Sequence, residues 1–352
     1  VSVVGVDGGV STIRPGKDGS YAVRNGSAFS WGSVPVTVTG ITSDIVSISG
    51  GLQNTCALLA TGAVRCFDNP SVDVTGLSSG VAALSVGGFH ACVVMTSGAT
   101  RCWGSNSSGQ LGDGNTTSSS VPVTVTGMET GTLSIATGMR HTCAVTTGGG
   151  VRCWGAGSSG QLGNGLTSSQ TTPVDVTGIP SGATAIATGI SYSCALVGGG
   201  VKCWGNNYYG SLGDGTRTYR YTPVAVSGLP ATVTGLATLG SLANHACAIA
   251  VGGAPYCWGS NANGQIGDGT LVRRLVATPV LYLDAGVTQI IGGGEHTCAL
   301  TSAGAVKCWG SRRYGQVGDG SGTDYRASPD YVGNPQPENP IRTYLPALRR
   351  AQ

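Results

Sequence analysis

The sequence predicts an all-β fold, a seven-bladed β-propeller with four antiparallel strands in each blade. Three observations support this prediction. A tryptophan motif recurs at intervals of 50 to 54 residues, short segments rich in Val, Ile and Thr follow one another, and 61 of the 352 residues are glycine. Short strands that are joined by glycine-rich turns and repeated at a period of this length are typical of propellers.

The repeat is easiest to follow through the tripeptide Cys-Trp-Gly, which occurs five times. Two weaker copies lie upstream, at Trp31 and Phe67, where the spacing shortens to 36 residues. Seven copies predict seven blades, of which the first two have shorter loops. The five complete copies begin at Cys102, Cys153, Cys203, Cys257 and Cys308.

Each complete repeat contains four strand-like segments. In the fourth repeat we place them at Leu133–Thr137, Thr142–Thr146, Val151–Trp154 and Val174–Thr177. Each segment is short, rich in β-branched residues and bounded by Gly or Pro, as strands usually are. One repeat is therefore expected to supply one blade, with its first segment innermost.

The twelve cysteines form six pairs, which we expect to be disulfides within blades. In the fifth repeat, a two-residue Gly-Gly turn places Cys194 opposite Cys203, at a separation that a disulfide can bridge. The other pairs are one residue longer and fit a three-residue turn with a bulge. The first blade has Tyr21 and Ser30 at these positions and should be the least constrained. The predicted pairs are Cys56–Cys66, Cys92–Cys102, Cys143–Cys153, Cys194–Cys203, Cys247–Cys257 and Cys298–Cys308.

Six disulfides predict an oxidising environment, because such bonds persist outside the cytosol. We therefore expect an extracellular or cell-surface protein. No apolar segment approaches the roughly 20 residues that span a bilayer, so no transmembrane segment is expected. The net charge of +3 is not concentrated into a basic patch, which argues against nucleic acid as a partner.

Four recurring motifs carry a family resemblance: H-x-C-A-L/V, V-x-C-W-G, N-x-x-G-Q-L-G-D-G-T and T-P-V. Together they resemble the repeat of the regulator-of-chromosome-condensation family, over residues 11 to 333. The resemblance implies a seven-bladed propeller but no single function, because this fold hosts guanine-nucleotide exchange, enzyme inhibition and plain binding. The cysteines and the two short blades depart from the family pattern. Exchange is a nuclear or cytosolic activity and suits a disulfide-rich chain poorly.

A metal site is the alternative explanation for the cysteines, because a histidine precedes four of them by two residues. Three ligands per blade do not match structural zinc, which usually takes four. Single aspartates in the loops do not match calcium, which needs several converging carboxylates. We expect a structural role for both sets, and neither metal nor other cofactor. The residues are His90, His141, His245 and His296 in the first set, and Asp113, Asp214, Asp268 and Asp319 in the second.

Basic residues recur before the second cysteine, opposite a small side chain on the neighbouring strand. They could form a ring of cations for an anionic ligand, but solvent-facing packing of their aliphatic stems is favoured. No Ser-His-Asp, paired-carboxylate or phosphate-loop pattern is present, so we expect no catalytic residues and no enzyme activity. The basic residues are Arg65, Arg101, Arg152, Lys202 and Lys307.

The two ends of the chain lie outside the seven repeats. Residues 1–10 contain a strand-like segment, Val1–Val6, and residues 334–352 form a proline-rich, extended tail around the propeller of residues 11–333. Val1–Val6 either closes its own ring by pairing in blade 7, which leaves Pro329–Val332 as loop, or adds to the open edge of a neighbouring molecule. Donation that does not close produces a filament.

The leading hypothesis is a non-enzymatic extracellular scaffold or binding protein, a structural component of a surface or filament that self-assembles through its terminal segments. Its partner is then another copy of itself. The alternative is a secreted inhibitor or ligand-binding propeller whose long loops contact another extracellular protein, since Tyr and Arg are frequent in binding surfaces. The terminal candidates are Val1, Val3, Val4, Val6, Tyr344, Leu345 and Leu348. The loop candidates are Tyr208, Tyr209, Tyr219, Tyr221, Arg312, Arg313 and Tyr314.

Overall fold

The computed structural model describes residues 8–16, 18–33, 44–52, 54–67, 72–318 and 325–331. Within these ranges the chain forms strands and one three-residue 3₁₀ helix, Val251–Gly253. None of the described residues belongs to a helix long and apolar enough to cross a membrane.

The strands assemble into the predicted all-β, seven-bladed propeller. In chain order they are β1 Val10–Pro15, β2 Asp18–Arg24, β3 Ser27–Ser33, β4 Ile45–Gly50, β5 Thr55–Leu59, β6 Val64–Cys66, β7 Val72–Asp73, β8 Val81–Val86, β9 His90–Met95, β10 Thr100–Gly104, β11 Ser119–Thr124, β12 Thr132–Thr137, β13 His141–Thr146, β14 Val151–Gly155, β15 Gln170–Asp175, β16 Ala183–Thr188, β17 Tyr192–Val197, β18 Gly200–Gly205, β19 Arg220–Ala225, β20 Val233–Leu236, β21 Thr238–Leu239, β22 His245–Ala250, β23 Pro255–Gly259, β24 Arg274–Pro279, β25 Val287–Gly292, β26 His296–Thr301, β27 Val306–Ser311 and β28 Tyr325–Tyr331.

Blades 2 to 5 are each one continuous stretch of chain, whereas β21 interrupts blade 6 and joins the sheet of blade 7. Blades 2 to 7 are β4–β7, β8–β11, β12–β15, β16–β19, β20 with β22–β24, and β25–β28, and neighbours within each are antiparallel. Blade 1 contributes β1–β3 within the described residues. The first strands of neighbouring blades contact one another around the ring, so they are innermost.

The fourth strand of blade 4 begins earlier than predicted. β15 covers Gln170–Asp175, not Val174–Thr177, because Gly155 pairs with Gln170 and Cys153 with Val174 across a bulge. The prediction followed the alternating valines, but an outer strand is only half-buried and its polar first residues can extend the ladder.

The six predicted cysteine pairs lie at disulfide distance, with S–S separations of 1.97 to 2.10 Å. In blade 5 the turn residues Gly198 and Gly199 have φ angles of 58° and 80°. Positive φ at both central residues is what a two-residue turn between antiparallel strands requires. Val197 pairs with Gly200 and Cys194 with Cys203, so the predicted register is confirmed.

The longer hairpins have the predicted three-residue turns. In blade 2 the Leu59 N–H donates to the carbonyl of Ala63 at 2.9 Å, and Gly62 has a φ of 78°. A glycine in the left-handed region after a turn is the usual three-residue arrangement with a bulge.

A short parallel strand was not predicted from the sequence. After β20 the chain leaves blade 6, and β21 pairs with Ile291 and Gly292 of β25 in blade 7. The Gly240 N–H then donates to the carbonyl of Gly292 at 2.6 Å. β21 also contacts β1 and β16, so this strand lies near the centre of the ring.

The outer position of blade 7 is filled by β28. Lys307 pairs with Tyr331 and Gly310 with Arg326, so Pro329 lies within a strand. The interpretation of residues around Pro329 as loop is therefore wrong: a proline lacks an N–H but is tolerated in an edge strand. Val1–Val6 and the tail of residues 334–352 lie outside the described residues.

Blade 7 meets blade 1 through polar contacts that join the two ends of the ring. The Ile13 N–H donates to Gln289 Oε1 at 2.9 Å, and the Trp31 indole N–H donates to the carbonyl of Gln316 at 2.9 Å. The Val10 N–H donates to the carbonyl of Gly304 at 3.4 Å. These bonds hold the first and last repeats side by side.

Candidate binding surface

The loops between the third and fourth strands are held by their own polar residues. In blade 5 the Asn207 amide donates to Asp214 Oδ1 at 3.0 Å and to the carbonyl of Thr216 at 3.1 Å. The side-chain oxygen of Asn207 accepts a hydrogen bond from the Leu212 N–H at 3.0 Å. Blades 3 and 6 repeat this arrangement from Asn106 and Asn261.

The loop aspartates therefore serve the loop conformation. Asp268 is partly buried, which raises its pKa, but hydrogen bonds from Arg274 and Thr270 prevail and lower that pKa below its usual value. Among the described residues no group of three His, Cys, Asp or Glu side chains could hold a metal ion. Asp319 lies outside those residues.

Each long loop also contacts the next blade through one backbone carbonyl. The carbonyl of Gln161 accepts the Trp204 indole N–H and the Ser193 hydroxyl, both at 2.9 Å. Ser193 Oγ lies 3.0 Å from His141 Nε2. Since the hydroxyl hydrogen goes to the carbonyl, His141 Nε2 must carry the proton and donate it.

The four histidines lie buried at blade interfaces. Burial lowers the pKa of His141 and His296 to about 4. Burial, assisted by a neighbouring histidine, lowers the pKa of His90 and His245 to about 3. Their Nδ1 atoms have no hydrogen-bond partner among the described residues, as expected of neutral rings that donate through Nε2.

Two of the recurring basic residues are neutralised within their own blade. Arg65 pairs with Asp73 at 2.6 Å, and Arg152 pairs with Asp175 at 2.9 Å, in each case on the outermost strand. The register places Ala57 opposite Arg65, as predicted. These pairs do not favour a ring of cations open to an anionic ligand.

The loop of blade 5 differs in its side chains from those of blades 3 and 4. It carries Tyr208 and Tyr209 at the positions of Ser107 and Ser108 in blade 3. The two rings meet edge to face, with centroids 4.9 Å apart. The Tyr208 side chain is 53% exposed.

Two arginines from different blades hold these rings. The guanidinium of Arg217 in blade 5 lies 4.9 Å from the Tyr208 ring centroid. Arg273 in blade 6 lies 5.9 Å from the Tyr208 centroid and 5.4 Å from that of Tyr209. The Asn206 amide donates to the Tyr219 hydroxyl at 2.8 Å. We call Tyr208, Tyr209, Tyr219, Arg217 and Arg273 the tyrosine–arginine surface.

Two open cavities lie on either side of Tyr209. Both are open to solvent and have mixed polar and apolar linings, and neither reaches the volume of a typical small-molecule pocket. The first, of about 240 Å³, is lined by Ile190, Ser191, Tyr192, Asn206, Tyr209, Ser211 and Asn244. The second, of about 250 Å³, is lined by Tyr209, Ser260, Asn261, Ala262, Leu271 and Arg273.

The loop residues singled out in the sequence do not form one group. Tyr221 packs closely against Gly160 in the loop of blade 4. Arg312, Arg313 and Tyr314 lie in the blade 7 loop, where Arg313 sits 5.6 Å from the Tyr314 ring centroid. The terminal candidates at Val1–Val6 and at Tyr344, Leu345 and Leu348 lie outside the described residues.

Sequence reasoning missed Arg217 and Arg273. Arg217 could have been noticed, since it stands between Tyr208 and Tyr219 in one loop. Arg273 is far from them in sequence, and only the packing of blade 6 against blade 5 brings it to Tyr208.

Family models identify the type of repeat. Two models, both described as the regulator of chromosome condensation (RCC1) repeat, match residues 98–145, 148–196 and 252–300, and residues 81–110, 133–161 and 287–316. The ultraviolet-B receptor UVR8 of Arabidopsis thaliana is 29% identical over 237 residues, or 66% of this chain. The match spans about half of that receptor, 53% of its length.

Solved structures with the same fold include proteins from quite different settings. Yeast RCC1 (Prp20), solved in complex with Kap60, superposes with a TM-score of 0.72 at 18% identity, over 82% of this chain and 74% of that one. The ectodomain of the Physcomitrella patens receptor kinase CR4 superposes with a TM-score of 0.56 at 20% identity, over 86% of this chain and 74% of that one. At these identities the likeness concerns the fold.

Proposed function

Since the chain is a disulfide-rich propeller of the regulator-of-chromosome-condensation repeat family, we propose that it is a non-enzymatic extracellular binding protein. It docks a protein partner through the tyrosine–arginine surface of blades 5 and 6. The observation that carries this proposal is the exposed ring of Tyr208, held in place by two arginines.

A side chain that is already fixed loses little entropy when a partner covers it. Tyrosine and arginine are, with tryptophan, the residue types enriched at the energetic centre of protein interfaces. The loops of blades 3 and 4 share the backbone arrangement but have serines at the tyrosine positions. The surface is therefore a local addition to a common scaffold.

The extracellular setting is supported by the six disulfides, because such bonds are rare in the cytosol. A similar fold also occurs in the ectodomain of the Physcomitrella patens receptor kinase CR4.

A non-catalytic role is supported by the positions of the serine–histidine contacts. Ser20 Oγ lies 2.7 Å from His296 Nε2, a distance that a nucleophile and its base could have. Both residues are fully buried, so substrate cannot reach the hydroxyl. The Ser193–His141 contact is buried in the same way.

The experiment is photo-cross-linking from residue 219 to proteins of the surrounding medium and cell surface. A cross-linker at Tyr219 should yield a discrete adduct that disappears in Tyr208→Ala. Tyr282→Ala is the matched control, because that side chain is 75% exposed and follows the fourth strand of blade 6, outside the tyrosine–arginine surface. An adduct that survives Tyr208→Ala, or one lost equally in both variants, contradicts the proposal.

We propose self-assembly as a second role, in which Val1–Val6 adds to the outer edge of a neighbouring molecule. It is favoured by β28, which already occupies the outer position of blade 7. Outer strands also expose apolar side chains, such as Val121 and Val276. An exposed edge accepts another strand readily.

Sedimentation and negative-stain microscopy test this second role. The full chain should form filaments, and a version without residues 1–7 should remain as single discs. Discs in both samples, at every concentration measured, would rule out assembly through this segment.

A further inference from the structure

The loops of blades 5 and 6 each carry two arginines and one aspartate. In each loop the aspartate pairs with the second arginine. Asp214 lies 2.8 Å from Arg220, and Asp268 lies 2.5 Å from Arg274. The first arginine of each loop therefore keeps an uncompensated charge within its own loop.

These two remaining arginines converge on a single oxygen atom. Arg217 Nε and Arg273 Nη1 both donate to the carbonyl of Tyr208, at 2.9 and 3.3 Å. No described carboxylate lies within salt-bridge distance of either one. Two like charges this close repel each other by up to about 1 kcal/mol in water, and an anion between them would remove that cost.

The arginine pair, Arg217 and Arg273, is also positioned for a ligand. A guanidinium has five N–H groups. Arg217 and Arg273 each donate one of theirs to the Tyr208 carbonyl. The rings of Tyr208 and Tyr209 fix the orientation of the rest. Planar guanidinium groups held in this way match the geometry of a carboxylate better than a flexible lysine would.

The surroundings of the pair favour a peptide as the source of the anion. Leu271 and Val272 directly precede Arg273 and are 39% and 61% exposed. Leu271 and Arg273 line the same cavity beside Tyr209. A ligand that satisfies both features needs carboxylates and apolar side chains in alternation, which a peptide offers and a sulfated sugar does not.

We infer that the arginine pair binds the carboxylates of an extended acidic peptide segment, whose apolar side chains cover Leu271 and Val272. This inference rests on the proposed docking function and names its partner class.

The test is a fluorescence-anisotropy titration with a labelled peptide of alternating Glu and Leu, with an alternating Lys and Leu peptide as the opposite-charge probe. Arg217→Gln and Arg273→Gln should each weaken binding of the acidic peptide about tenfold or more, as expected for charged hydrogen bonds. Arg101→Gln in blade 3 is the matched control. It also removes one positive charge, but outside blades 5 and 6, so the affinity for the acidic peptide should be unchanged.

Three results would overturn the inference. The acidic peptide could bind the Arg217→Gln/Arg273→Gln double variant as tightly as the wild type. It could fail to bind the wild type at all. A heparin-derived sulfated oligosaccharide could bind in an arginine-dependent way while the peptide does not. A thermal unfolding experiment on each variant checks that the fold is retained.

Failure of the inference and failure of the proposed function are separable. If the cross-linked adduct at Tyr219 depends on Tyr208 but survives loss of both arginines, the proposed docking surface is supported and the inferred acidic ligand is contradicted. If the adduct does not depend on Tyr208, the docking function itself falls.

Discussion

The Nε2 atom of His141 in blade 4 lies 3.0 Å from the hydroxyl oxygen of Ser193 in blade 5. Equivalent contacts join blades 3 and 4, 6 and 7, and 7 and 1, at 2.7 to 2.8 Å. Blade 5 has Tyr192 at the histidine position, and its hydroxyl donates to the carbonyl of His245 in blade 6 at 2.5 Å. The recurring histidine thus connects neighbouring blades at four of the seven junctions, and Tyr192 does so at a fifth.

Acid should destabilise the protein through these histidines. Their pKa values are about 3 to 4 when folded, against about 6.5 in the unfolded chain. The unfolded state therefore binds more protons below pH 6.5, and stability falls as the pH drops from there towards 3 to 4. Protonation of each histidine in the unfolded chain should lower the free energy of unfolding by about 2–3 kcal/mol between pH 7 and pH 4.

Urea unfolding at pH 7, 5.5 and 4 measures this loss, and His141→Gln provides the comparison. That variant keeps an N–H for Ser193 but cannot take up a proton, so its stability should depend less steeply on pH. Equal pH dependence in the variant and the wild type contradicts the assignment of a neutral, buried His141.

Removal of one disulfide should lower stability without changing the fold. Cys194→Ser/Cys203→Ser opens a loop of about ten residues, which should cost about 2–3 kcal/mol. Urea unfolding under non-reducing conditions measures the difference, and circular dichroism checks the strand content. An unchanged midpoint would show that this hairpin gains nothing from its cross-link.

Blade 1 has a hydrogen bond to blade 2 where the other blades have a disulfide. The hydroxyl of Tyr21 lies 2.8 Å from Thr55 Oγ1, and both residues are fully buried. Tyr21→Phe should therefore cost about 1–2 kcal/mol, since it leaves the buried Thr55 hydroxyl without this partner. Tyr282→Phe, on an exposed side chain, is the control and should cost almost nothing.

A spectrophotometric titration gives a second measure of the same residue. Burial raises the pKa of Tyr21 to about 12, although its bond to Thr55 opposes the shift. The wild type should therefore contain a tyrosine that ionises about two units above the ordinary value and is missing in Tyr21→Phe. A titration in which no such group is lost contradicts the burial of Tyr21.

Gly160 should be far less replaceable than other glycines of similar conformation. Gly160 and Gly178 have φ angles of 77° and 74°, so alanine strains the backbone at both. A Cβ at Gly160 would lie 2.3 Å from the ring of Tyr221, whereas one at Gly178 meets nothing within 4 Å. Gly178→Ala should lower the free energy of unfolding by about 1 kcal/mol, and Gly160→Ala should lower it by clearly more. Similar losses in thermal unfolding experiments would show that Tyr221 moves aside.

The features that the sequence predicted correctly are local ones. The blade number follows from the period, and the pairing of Cys194 with Cys203 follows from a turn of two glycines. Both depend on residues within one hairpin or one repeat. The start of β15 was missed because polar residues such as Gln170 are acceptable in a half-exposed outer strand.

The features that it did not predict depend on contacts between blades. Thr238 and Leu239 resemble the end of an inner strand, and only the position of blade 7 turns them into its fifth strand. Tyr208 was recognised as a candidate, but its contact with Arg273 joins residues 65 positions apart. No local pattern encodes either relationship.

The continuity of blades 2 to 5 has an evolutionary consequence. Since each of these sheets is one uninterrupted segment, an in-frame duplication or loss of one of these repeats would add or remove a whole sheet and leave every other ladder intact. Such a gene could change its number of repeats without passing through an unpaired intermediate, and the junction between the last and first repeats is where a ring of different size would have to close again.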